Sequence, residues 1–92
     1  MVFVHRNNHL AAVEKVKSIN MAISQVIKER RKQQRYSQEM LAEGSGLHAT
    51  TISRIETGVH SPKVENVYQI CVFLKISLTD FFAEVEKKVP KE

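Results

Sequence analysis

Several residue types are scarce in this 92-residue sequence, and each scarcity narrows the class of protein. The single cysteine, Cys71, cannot form an internal disulfide bond, which suits a reducing compartment and predicts a cytoplasmic protein. Hydrophobic residues make up 42% of the chain. They form no run near the roughly 18 residues that a membrane span requires. The opening, MVFVHRNNH, lacks the charged and apolar regions of a signal peptide. The length allows one domain at most.

The sequence contains no residue pattern typical of an enzyme or of a cofactor site. Because it has no Ser/His/Asp set, no paired carboxylates and no glycine-rich phosphate loop, we expect neither catalysis nor a cofactor. His5 and His9 would share a helical face if a helix began early. Two histidines without a third ligand nearby make a poor zinc site. We therefore expect no metal and no small-molecule ligand.

Charge is distributed unevenly along the chain. Residues 1–36 hold eight Lys/Arg and two Asp/Glu, a net charge of +6, whereas residues 37–92 hold six and eight, a net charge of −2. Five cations form a basic cluster that supplies most of the first value: Lys28, Arg30, Arg31, Lys32 and Arg35. Such a cluster fits a polyanion partner, but it also fits a solvated helix end, where cations favour the helix dipole. Charge alone favours neither interpretation.

The most informative stretch reads QEMLAEGSGLHATTISRIET. It contains two short helical patterns, over 38–44 and 49–57, on either side of Gly46, a residue that tolerates a positive φ angle. Ile52 and Ile55 are three residues apart and therefore share one face of the second pattern. Two helices joined by about four residues with a glycine in the turn are the signature of a helix-turn-helix motif.

At these residues the chain resembles the Xre/Cro-type helix-turn-helix proteins, a family that includes phage repressors and restriction-modification controller proteins. The matching residues are Ser37-Gln38-Glu39, Leu41-Ala42-Glu43, Gly46-Leu47, Ile52 to Glu56, Gly58, Pro62, Ile70, Leu74, Ser77-Leu78 and Phe81-Phe82. The resemblance covers about residues 20–84 and implies a compact all-α, five-helix, repressor-like domain over 20–85. A tail, 86–92, follows it. The sequence departs from the family at Arg35, where glycine is usual, and at His48, where Ser or Thr usually caps the third helix.

Residues 1–19 lie outside the resemblance and form an N-terminal extension. Val2-Phe3-Val4 is β-prone, and Asn8 is a plausible N-cap for a helical pattern that follows it. This pattern runs on without Pro or Gly, so one long helix from about 9 to 34 is an alternative to two. We predict a break near Ser18–Asn20, because the family's first helix begins there. The other predicted helices are 38–44, ending in a turn loosened by Gly44, then 49–57, 64–74 and one that Ser77 caps.

The resemblance implies a sequence-specific, double-stranded DNA-binding transcriptional regulator, a repressor or autoregulator, that acts as a homodimer on a palindromic operator. The alternatives are an antitoxin-type autoregulator and a protein-interaction adaptor that retains the fold without binding DNA. With Ile52 and Ile55 buried, the outer side of the third helix carries the predicted base contacts: Ala49, Thr50, Ser53 and Arg54. The predicted phosphate contacts are Gln38, His48, Thr51, Thr57 and Lys63.

Two further interactions are predicted. The resemblance implies that Arg31 and Glu56 form an ion pair between the first helix and the end of the third. Phe81 and Phe82 cannot both enter one small core, so we expect one of them to face a partner. The candidates for a dimer interface are Leu78, Phe81, Phe82 and Val85, and the 1–19 extension is the alternative.

Overall fold

A computed structural model of the chain describes residues 2–90, with side chains from residue 11 onward. Within that range the chain folds into five α-helices and contains no strand. They are α1 (Val2–Gln33), α2 (Gln38–Ser45), α3 (Ala49–Thr57), α4 (Val64–Leu74) and α5 (Leu78–Lys88). The all-α, five-helix prediction is confirmed, and α3 and α4 begin and end at the predicted residues.

The core lies where all five helices meet. Each helix contributes at least one side chain with no exposed surface: Ile27, Leu41, Ile52, Ile70 and Phe81. Full burial of a side chain of this size contributes about 1.5–3 kcal/mol. Cys71 belongs to the same core, and burial raises the pKa of its thiol to about 11. The thiol is therefore a small apolar core group rather than a reactive nucleophile.

The first helix is continuous, so the predicted break near Ser18–Asn20 is wrong. No residue from 2 to 33 is Pro or Gly, and nothing else in the sequence there stops a helix. Asn20 does not cap the backbone, because its side-chain amide donates to the Ser61 hydroxyl at 3.0 Å. The β-prone residues 2–4 are likewise helical, and Asn8 lies inside the helix instead of capping it. At about 1.5 Å per residue, α1 accounts for the 51 Å long axis of the molecule.

Two turns depend on residues with positive φ that are not glycine. Arg35 has φ 61°, so the chain takes a left-handed conformation at the position where the family usually has glycine. Lys75, which ends α4, has the same φ, and no feature of the sequence predicted a left-handed residue there. Gly58 ends α3 at φ 74°, where a Cβ atom would lie 2.5 Å from the sulfur of Met21. Glycine at 58 therefore lets α3 end directly against α1.

Gly44 has a packing role that the sequence did not predict. The prediction of a loosened last turn is wrong, because α2 continues through Gly44 to Ser45. A Cβ atom at Gly44 would lie 2.1 Å from the ring of Phe73, so the glycine makes room for that ring. The ring in turn packs against Tyr36, with 4.9 Å between the ring centroids. The glycine thus allows α4 to approach α2 closely.

The last helix is longer than the predicted domain. It runs to Lys88, beyond residue 85, because Val85 and the half-buried Val89 extend its core-facing stripe. Lys88 also donates to Glu29 of α1 at 3.1 Å. Residues 86–88 of the predicted 86–92 tail are therefore part of α5, and residues 91–92 lie outside the described part of the chain.

Candidate nucleic-acid interface

The outer side of α3 is open to solvent. Ala49, Thr50, Ser53 and Arg54 are all exposed, while Ile52 and Ile55 are buried beneath them. The division follows from the 3.6-residue helical period, since the two isoleucines lie on one side and the small polar residues on the other. His48 occupies the N-cap position with extended backbone but makes no side-chain capping bond, as its weak capping chemistry predicts. The structure thus places the four predicted base-contacting residues on one accessible face.

A buried ion pair fixes α3 to α1. The guanidinium of Arg31 donates to both carboxylate oxygens of Glu56, at 2.7 and 2.9 Å, and to the Tyr36 carbonyl at 2.8 Å. Only 11% of the Arg31 side chain and 3% of the Glu56 side chain are exposed. The hydrogen bond to Glu56 is the main cause of a raised pKa for Arg31. The pair predicted between these two residues is therefore present in bidentate form.

Gln38 joins this ion pair and brings α2 into the same network. Its side-chain amide donates to Glu56 Oε1 at 3.0 Å. Because an amide nitrogen carries two hydrogens, the second remains available for another acceptor. The three side chains link α1, α2 and the end of α3, so they fix the orientation in which α3 presents its outer face.

Beside the outer face lies a cationic cleft between α3 and the loop that follows it. Its polar lining residues are Thr51, Arg54, His60, Ser61, Lys63 and Asn66. No carboxylate is among the described residues that line it, so Arg54 and Lys63 give it a positive potential. The sequence predicted Thr51, Arg54 and Lys63 but missed His60 and Asn66. They were missed because loop length, not helical period, brings these two residues to the cleft.

The predicted phosphate contacts differ in their availability. His48 and Lys63 are exposed, whereas Thr51 and Gln38 are half-buried. The hydroxyl of Thr57 donates to the Arg54 carbonyl at 2.6 Å and accepts from the backbone N–H of Val59 at 3.3 Å. Its hydrogen is therefore already used to end α3, which weakens the case for a phosphate contact by Thr57.

The basic cluster divides into internal and surface cations. Arg31 is buried against Glu56, and Arg30 donates through both its Nε, at 3.1 Å, and its terminal nitrogen to Glu84 of α5. That hydrogen bond lowers the pKa of Glu84. Two cations of the cluster thus bind helices together. Arg35 is exposed, and Lys28 and Lys32 line a groove that reaches Thr57 at the end of α3.

The four candidates for a dimer interface do not share one surface. Phe81 and Val85 belong to the core, with 0% and 1% exposure, so they cannot contact a partner unless the fold changes. Phe82 is 37% exposed and packs edge-on against Phe81, which matches the expectation that the two rings separate. Leu78 is half-buried against the core.

Within the described residues, no group of three His, Cys, Asp or Glu side chains is placed to hold a metal ion. The side chains of His5 and His9 lie outside that part of the structure. No helix of the described part is both long enough and apolar enough to span a membrane.

Comparisons with known proteins give one consistent result. The helix-turn-helix family model matches residues 27–81. The wild-type restriction-modification controller protein C.Esp1396I is 31% identical, with a TM-score of 0.72 over 80% of this chain and 95% of that chain. The structure of the C.Esp1396I tetramer in complex with its natural 35-base-pair operator is 32% identical, with a TM-score of 0.72 over 79% of this chain and 96% of that one.

The comparison with curated proteins gave no match. The family match nevertheless covers more than half of the chain and includes both helices of the motif, α2 and α3. The controller protein structures match it over nearly their whole length. This chain belongs to the Xre/Cro-type helix-turn-helix family.

Proposed function

We propose that this protein is a sequence-specific, double-stranded DNA-binding transcriptional regulator that acts as a homodimer on a palindromic operator. The observation that carries the proposal is the outer face of α3, where Ala49, Thr50, Ser53 and Arg54 are exposed side by side. Small polar side chains and one long cation can enter a major groove about 12 Å wide without obstruction. The relative C.Esp1396I has been observed as a tetramer in complex with its operator, which supports the same role here.

In this proposal the Arg31–Glu56 pair holds α3, the reading helix that contacts the bases, in place. The network of Arg31, Glu56 and Gln38 fixes α3 before DNA arrives, so binding does not have to order it. Arg54 reaches a base edge, most simply the O6 and N7 atoms of guanine, which accept the fork of a guanidinium. Thr50 and Ser53 lie on the same face and read neighbouring positions.

Phosphate contacts position the domain on the duplex without reading sequence. His48, the N-cap residue of α3, and Lys63, the N-cap residue of α4, are both exposed. Gln38 lies at the N-terminus of α2, where backbone N–H groups favour an anion, and its second amide hydrogen is available to a phosphate. Thr51 lines the cationic cleft beside Arg54. The two cations of that cleft, Arg54 and Lys63, therefore have different predicted roles.

The experiment compares Arg54→Ala with Lys63→Ala on DNA from the protein's own promoter, at several salt concentrations. Arg54→Ala should cost about 1–3 kcal/mol per half-site and relax the preference at one base position of each half-site. Lys63→Ala should weaken binding to all sequences alike and reduce the log–log salt slope by about 0.9 per half-site, or about 1.8 for the dimer. Lys87→Ala, which removes an exposed lysine from α5, is the matched control and should change neither quantity.

Two outcomes would contradict parts of this proposal. Equal, sequence-independent losses from Arg54→Ala and Lys63→Ala would assign Arg54 to the phosphate backbone. No loss from either variant would contradict the regulator itself and favour a protein-interaction adaptor with the same fold.

A further inference from the structure

The side of α1 that packs on the core continues toward the N-terminus beyond the core. In the second half of the helix this side carries Ala22, Ile23, Val26 and Ile27, all buried. At 3.6 residues per turn, Val16 and Ile19 lie on the same side one or two turns earlier. Their exposed fractions are 54% and 38%. An apolar face suited to burial therefore extends past the region where α1 packs on its own domain.

This face joins an exposed apolar area on α5. A shallow groove connects Ile19 to Thr79, Phe82, Ala83 and Val89 at the surface of the last helix. Val13, one turn before Val16, is 41% exposed, and Phe82 is 37% exposed. We define Val13, Val16, Ile19 and Phe82 as the apolar strip. A continuous strip of this kind across two helices is typical of a surface that another protein covers.

We propose that a second copy of this chain covers the apolar strip, with the projecting half of α1 from one copy lying along α5 of the other. The inference rests on the proposed function, since reading a palindrome requires two copies related by a two-fold axis. An isologous contact of this type forms twice in a dimer, because each α1 meets the partner's α5.

Charge and length both fit a second copy. Residues 2–19 hold three Lys/Arg and one Asp/Glu, a net charge of +2, whereas residues 78–88 of α5 hold two and three, a net charge of −1. The two surfaces are therefore electrostatically complementary. The projecting 18 residues are about 27 Å long, which is longer than the roughly 16 Å of α5. One projection can thus run along the whole of the partner's last helix.

The test is sedimentation equilibrium of the full-length protein and three variants at concentrations from 1 to 100 times the dimer dissociation constant. Val16→Glu places an acidic group in the strip opposite the partner's acidic α5. Phe82→Glu acts from the other side of the contact by removing an apolar ring and leaving a carboxylate to be buried without a partner. The matched control is Met21→Glu, because Met21 is 55% exposed on the same helix but lies about 140° around it from Val16. Thermal melts of all four proteins establish that each is folded.

We expect Val16→Glu and Phe82→Glu each to raise the dimer dissociation constant at least tenfold, while Met21→Glu leaves it within twofold of the parent. A parent that is monomeric at tens of micromolar would overturn the inference, as would equal effects of Val16→Glu and Met21→Glu. Promoter-fragment binding by the same proteins separates this result from the proposed function. A dimer that Val16→Glu dissociates, but that binds no promoter fragment, contradicts the function alone. A DNA-binding dimer that Val16→Glu leaves intact contradicts the interface alone.

Discussion

The Arg31–Glu56 pair makes the sharpest stability prediction, because both charges are almost fully buried. The Arg31→Ala variant leaves the Glu56 carboxylate, 3% exposed, with one described hydrogen bond, from Gln38. The Glu56→Ala variant leaves the Arg31 guanidinium, 11% exposed, with its bond to the Tyr36 carbonyl. Stranding one member of a buried pair costs about 3–5 kcal/mol. We expect Arg31→Ala to be the more damaging, since its stranded charge is the more buried.

These losses are large for a domain of this size. Its total stability should lie near 5–15 kcal/mol. A loss of 3–5 kcal/mol corresponds to a fall of roughly 12–40 °C in Tm at about 4–8 °C per kcal/mol. The double variant removes both charges together, so it should lose less than the sum of the single variants, by about 1–3 kcal/mol.

The assay is urea unfolding, followed by circular dichroism, for the parent, the two single variants and the double variant. Arg30→Ala is the matched control, because Arg30 is the neighbouring arginine of α1 and also pairs with a carboxylate, that of Glu84. Since 31% and 35% of those two side chains are exposed, water screens the pair and its loss should cost about 1 kcal/mol or less. Additive losses of a few tenths from Arg31→Ala and Glu56→Ala would refute the reasoning.

Two further predictions concern backbone and packing, and both are read from urea unfolding. Arg35→Gly should stabilise the protein by about 1 kcal/mol, because glycine takes the positive φ there without a Cβ clash. Lys75→Gly should stabilise it by a similar amount, because Lys75 has an equal φ. A loss of stability in both variants would contradict this account. Gly44→Ala should destabilise the parent by about 1 kcal/mol by displacing the Phe73 ring. In a Phe73→Ala background the same substitution should stabilise the protein by about 1 kcal/mol, because alanine has a higher helix propensity than glycine. Equal effects in both backgrounds would show that the ring is irrelevant.

Local chemistry made much of the fold predictable. The end of α2, the end of α3 and the start of α4 follow from Gly46, Gly58 and Pro62. The Ser37 and Ser77 hydroxyls cap α2 and α5 by accepting from the N–H three residues on. These signals depend on a few neighbouring residues, so the sequence contains them completely. The predicted break in α1 is wrong because it came from the family resemblance and not from a local stop signal, since none lies near Asn20.

The unpredicted features depend on contacts between distant parts of the chain. Gly44 looked like a weak helix end because its reason, the Phe73 ring, is twenty-nine residues away. The burial of Phe81 rather than Phe82 could not be assigned, since adjacent residues fit the helical period equally well. The base-contact and phosphate-contact roles of individual residues remain predictions until DNA binding is measured.

The continuity of α1 has a mechanical consequence for any assembly built on it. The helix contains neither glycine nor proline from Val2 to Gln33, so it has no hinge. In the proposed dimer its N-terminal half contacts α5 of the partner, while near its C-terminal end Arg31 pairs with Glu56 of α3. Inserting one base pair between two half-sites rotates them by about 34–36° and separates them by about 3.4 Å. A helix without a hinge cannot absorb that rotation by local bending. The affinity of the protein for its operator should therefore depend on the spacing of the half-sites as strongly as on their base sequence.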